Sequence, residues 1–176
     1  MASGPSLTEA DCRQARQWRS RKQGRAVFVT NTTYQRCPWA DVLYALDLDW
    51  WRMHLARARQ VFGGVLVSPQ RLPGVRQELA WLDGARTNSG AAVLAQAAYW
   101  RARRVILLGY DCQHTGGSTH WHGSHPKGLG DAHSVAEWPA QFLRILPRLA
   151  GVEVVNATRD TALGLFPRAT LEDALA

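Results

Sequence analysis

The chain has 176 residues, of which 46% are hydrophobic and eight are tryptophan, enough apolar surface for one domain with a sizeable core, and this excludes a disordered chain. Its formal charge of +7, mostly from arginine, suits an anionic ligand, while the lack of a Lys/Arg block interleaved with aromatics argues against a dedicated nucleic-acid groove. Cys12, Cys37 and Cys112 are odd in number and far apart, no leader-like apolar segment opens the chain, and no apolar run reaches membrane-span length, so the expectation is a cytoplasmic protein with reduced thiols.

In chain order, Gly4-Pro5-Ser6-Leu7 forms a turn that opens a helix from Thr8 to about Lys22, with Ser6 or Thr8 as cap. A glycine-containing turn before a helix can cradle phosphate, because free N–H groups and the helix dipole both favour anions. Such a turn normally follows a strand, and too few residues precede Gly4 to make one. Ala26–Thr30 reads as a buried strand that ends at Asn31, whose amide can serve a base or sugar edge as readily as a turn. Asp41–Leu46 is the next strand. Asp47 and Asp49 follow in the spacing of metal-binding carboxylates, although Asp49 reads better as the cap of a helix from Trp50 to about Gln60. Val65–Val67 is a short strand. Pro69–Thr87 is irregular, with a short helix or strand near Glu78–Leu82.

Asn88-Ser89-Gly90 then caps an alanine-rich helix through Trp100, whose small side chains suit close packing on a sheet and whose first turn is a second anion site. Val105–Leu108 is four consecutive apolar residues, the pattern of a strand buried on both faces. Gly109 ends it and Asp111 lies just beyond, where ligands of open α/β sheets bind. Ser134–Leu149 reads as one amphipathic helix interrupted by Pro139 and Pro147. Val152–Val155 is the last strand, with Asn156-Ala157-Thr158 on the ligand side, and Leu171–Leu175 is a short final helix. Strands alternating with helices predict βαβ units. The fold class is α/β, a Rossmann-like three-layer sandwich over residues 1–176 with a mostly parallel sheet whose first strand is missing.

The loop after Asp111 gathers His114, His120, His122 and His125 among glycines and serines. Neutral imidazoles this close can bind zinc, but alternate residues on a loop need not converge, so no metal is assigned. An imidazole with a pKa near neutrality can also take a proton from an acceptor hydroxyl, or hydrogen-bond a phosphate. The bland alternative is a set of solvated histidines beside a Trp121 anchor.

The ordered elements Gly4-Pro5-Ser6-Leu7, Asn31, Asn88-Ser89-Gly90, Leu107-Leu108-Gly109-Tyr110-Asp111 and the histidine loop resemble Rossmann-like bacterial CMP-sialic-acid sialyltransferases. They are also similar to archaeal 6-hydroxymethylpterin pyrophosphokinases, and above all to proteins of tailed phages that carry the same Trp-His-Gly-x-His loop, here Trp121–His125. The resemblance implies a nucleotide or nucleotide sugar held by Gly4, Ser6, Asn31, Ser89 and Gly90. Asn88 and Gly109 flank that set, and Asp111 lies beside it. His125 or His122 would be the base that deprotonates the acceptor, with no obligatory metal. The rival readings are pyrophosphoryl transfer from ATP, with Mg²⁺ held in part by Asp111, and a non-catalytic domain that binds a nucleotide or packs in an assembly such as a homo-oligomer.

Overall fold

The computed structural model describes residues 1–78, 87–126, 129 and 134–176. Among the described residues, six strands lie in two parallel sheets. The larger sheet has the order β1 (Phe28–Thr30), β2 (Val42–Tyr44), β3 (Val65–Ser68) and β4 (Arg76–Gln77). The smaller pairs β5 (Arg104–Leu107) with β6 (Glu153–Asn156). Helices α1 (Glu9–Ser20), α2 (Leu48–Val61), α3 (Ser89–Tyr99), α4 (Trp138–Leu143) and α5 (Leu171–Leu175) cover them. No helix among the described residues is long and apolar enough to cross a membrane.

The strands separate two cores by their period of two. Val42 and Tyr44 pack with Leu94 of α3 and Phe142 of α4, whereas Leu43 between them packs with Trp50 and Trp51 of α2. Val154 and Val155 divide in the same way. Alternate residues of a strand point to opposite faces, so β2 is apolar at every position because both of its faces are covered. The alanines of α3 bring that helix close to the sheet, and Ala91, Ala92 and Ala95 are all buried.

The place of a strand before Gly4 is filled by the first residues themselves. The Met1 nitrogen donates to the Phe28 carbonyl (2.6 Å), and the Thr30 N–H donates to the Met1 carbonyl (3.1 Å). On the other side, the Ala2 and Gly4 N–H groups donate to the carbonyls of Leu108 and Gly109, each at 2.8 Å. Met1–Gly4 therefore joins β1 to the end of β5 and links the two sheets.

Four expectations change. First, Asp49 is not the cap of α2. That position is Asp47, and Asp49 is the second residue of the helix, in its first turn, and pairs with Arg52 at 2.8 Å. Second, the helix expected over Ser134–Leu149 is three pieces: a 3-10 turn at Val135–Glu137, α4, and a 3-10 turn at Leu146–Leu149. Pro139 and Pro147 each stand at the start of a piece, because a proline ring clashes with the preceding helical turn. Third, β5 is not buried on both faces throughout: Arg104 is exposed, and Val105 and Ile106 are half-buried. The Met1–Gly4 segment reaches only Leu108 and Gly109, so the earlier residues of β5 line an open cavity. Fourth, within the stretch near Glu78–Leu82, Glu78 is in no strand or helix and its neighbours 79–82 lie outside the described residues.

Candidate functional site

A cleft of about 400 Å³ opens beyond the carboxyl ends of the strands. Gly4, Asn31, Asn88, Ser89, Gly90, Gly109, Asp111 and His125 all line it, whereas Ser6 and His122 are not in its lining. Polar strand ends distant in sequence are thus gathered on one rim.

Their roles differ. Asn31 follows β1 with a φ of 48°, a left-handed backbone that Asn tolerates better than most residues. Its Oδ1 is buried and has no hydrogen-bond partner among the described residues. The same is true of the Thr87 hydroxyl in the cleft wall, which the sequence reading passed over. Asn88 caps α3 by accepting from the Ala91 N–H (2.9 Å), and its Nδ2 donates to Gln141 Oε1 (2.8 Å). Ser89 Oγ accepts from the Leu46 N–H (3.3 Å). The side chains of Asn88 and Ser89 therefore serve the fold, and it is the opening turn of α3 that faces the cleft.

Asp111 is 1% exposed. Its carboxylate accepts the Ser6 N–H (2.9 Å), the Ser6 hydroxyl (2.7 Å) and the Thr115 hydroxyl (2.9 Å). Burial pushes its pKa above the ordinary carboxylate value, although the bonds from Ser6 and Thr115 pull the other way. A Cβ at Gly4 would stand 2.0 Å from Asp111 Oδ1 and 2.5 Å from the Gly109 carbonyl. Only glycine fits that joint. The N–H groups of Gly4, Ser6, Leu7 and Thr8 all have acceptors within the protein. The turn expected to cradle phosphate is a clamp between the chain start and the end of β5.

The histidine loop converges. One ligating nitrogen from each of His120, His122 and His125 lies within 4.8 Å of the others. His120 is buried, and His122 and His125 are half-buried, so the picture of solvated loop residues does not hold. The rings of His120 and His122 stack at 5.0 Å, and His120 also stacks on Trp138 at 5.9 Å. His120 Nδ1 lies 3.1 Å from Ser3 Oγ, and the Trp121 N–H donates to the Ser3 carbonyl (2.9 Å). His114 is exposed and outside the cluster.

No protein-family model, curated protein or solved structure matches the chain.

The electrostatics follow from burial. The His122 pKa is lowered to about 4, first by burial and then by the neighbouring His125 and His54. His54, on α2, is lowered by burial and by His125. Asp47, in the cleft wall, is raised by burial and by Asp49 and lowered by His125. His54 and Asp47 are therefore neighbours of the cluster that the sequence reading did not assign to the site. One signal was available: Trp50 and His54 are four apart on a helix, and their rings stack at 4.5 Å.

Proposed function

We propose that the cleft binds a nucleotide or nucleotide sugar, and that the protein is a small group-transfer enzyme of the glycosyltransferase kind. The carrying observation is that Asn31, the opening turn of α3 and His125 share one cleft at the carboxyl ends of parallel strands. Ligands of open α/β sheets bind in that position. The unsatisfied Asn31 Oδ1 can accept from a base or sugar, and the start of α3 favours a phosphate. His125 in the cleft lining supports a base that takes the proton of an acceptor hydroxyl as it attacks the anomeric carbon. A Mg²⁺-dependent pyrophosphoryl transfer through Asp111 draws less support, since both oxygens of that carboxylate already accept hydrogen bonds from Ser6 and Thr115.

The test is a thermal-shift screen of metal-stripped protein with CMP, CMP-sugars, UDP-sugars, and ATP with Mg²⁺. A ligand that binds only the native state raises Tm. The expected result is a rise with a nucleotide or nucleotide sugar. No rise with any of them removes the reading and leaves a structural domain. With the donor identified, His125→Ala should abolish turnover while preserving the donor's Tm shift.

A further inference from the structure

We propose that His120, His122 and His125 form a binding site for a divalent transition-metal ion of the zinc class, with an open coordination position facing the cleft. The donors are three imidazoles, which suit zinc, copper and nickel and not the hard ions magnesium and calcium. Zinc sites with three protein ligands keep a fourth position for water or substrate. His120 and His125 both line the cleft, which gives such a position somewhere to point.

Three details of the structure support the site. The His122 Nε2 is buried and has no hydrogen-bond partner among the described residues, a state that a bound ion would relieve. Ser3 Oγ lies 3.1 Å from His120 Nδ1 and so orients that ring. Metal-binding histidines are commonly held this way by an outer partner. The loop is also built to adjust. A zinc–nitrogen bond of about 2.0–2.1 Å places tetrahedral nitrogens roughly 3.4 Å apart. The nitrogens here lie within 4.8 Å, so binding requires them to draw together by about 1 Å. Gly117 and Gly123, with φ of 78° and 82°, give the segment turns that a side chain would hinder.

The main opposing feature is a nearby cation. Arg36 lies over the Trp121 ring at 3.9 Å. Its guanidinium is held by Glu9 at 3.1 Å and by the Leu7 carbonyl, so its charge is already partnered by a carboxylate. Cys112, also in the cleft lining, is not among the side chains whose ligating atoms converge, so among the described residues the ligand set is imidazole alone. An ion there would occupy the His125 lone pair and would itself, as a Lewis acid, lower the pKa of a bound hydroxyl in place of that imidazole. In that respect the inference revises the base of the proposed function, but binding of the ion is read without any nucleotide.

Tag-free protein is stripped with chelator and titrated calorimetrically with Zn²⁺, then with Co²⁺ while the visible spectrum is recorded. One ion per chain with a Kd of about 1 µM or tighter is expected, with a tetrahedral Co²⁺ band. His122→Ala and His125→Ala should each weaken Zn²⁺ binding by at least about tenfold, and His114→Ala should leave it unchanged. Failure of the stripped wild type to bind one equivalent overturns the proposal, whether or not the variants fold. Equal binding by wild type and a His122→Ala/His125→Ala double variant does so too. Because the nucleotide screen uses stripped protein, either reading can fail while the other stands.

Discussion

Asn31 separates what the fold needs from what a ligand needs. Its φ of 48° suits glycine better than any side chain, and its Oδ1 makes no bond within the described protein. Asn31→Gly should therefore leave Tm within a degree or two of wild type, since glycine enters the left-handed region freely. It should weaken nucleotide binding about five- to tenfold, the loss of one hydrogen bond of roughly 1–1.5 kcal/mol. Calorimetry against the donor found by the screen checks this, and unchanged affinity would remove Asn31 from the site. Asp111 shows the opposite case. A carboxylate just past a strand end reads from sequence as a ligand contact. Its true partners are Ser6, 105 residues away, and Thr115, four residues away. A hydrogen bond across that separation has no trace in composition or spacing, so the residue could be located on the rim but its task could not be read.

Elements with a strong local cause were legible. β1, β2, β3 and β6 come from short apolar runs, and α1 from Thr8 and Asp11, which close a reciprocal capping box. Less legible were elements whose cause is tertiary. The two-residue β4 pairs with β3 by two register positions and carries no apolar pattern. Met1–Gly4 completes the sheet junction through backbone groups alone. In α3 both kinds of cause meet. Asn88 caps the helix by accepting from Ala91 N–H, and the same side chain ties it to Gln141 of α4. Asn88→Ala should cost about 1–2 kcal/mol, the upper part of the range for a lost cap, because a half-buried bond to Gln141 is lost with it. Asn88→Ser should restore the cap but not the tether, and so recover only part of the loss in urea unfolding. Full recovery by serine would show that the bond to α4 contributes nothing.

Across the whole molecule, two sheets meet at one joint, and the cleft lies over it. Gly4, Gly109 and Asp111 form both the joint and part of the cleft lining. The layered α/β arrangement was readable from short apolar runs alternating with helices, whereas the convergence of the histidines was not, because a loop has no period to place its side chains. The joint makes a prediction that neither smaller scale makes. A methyl group at Gly4 would overlap Asp111 Oδ1 and the Gly109 carbonyl, and neither is the free end of a flexible chain: one is held by Ser6 and the other is backbone. Gly4→Ala should therefore push the chain start away from β5 and lower stability by about 1–3 kcal/mol, as overpacking does elsewhere. Since the same shift widens the cleft, nucleotide affinity should fall in the same variant, measured by calorimetry well below its own melting range. Asn31→Gly should lose binding without stability, and Gly4→Ala should lose both together. A Gly4→Ala protein that is destabilised yet binds nucleotide like wild type would show that the cleft is independent of the joint beneath it.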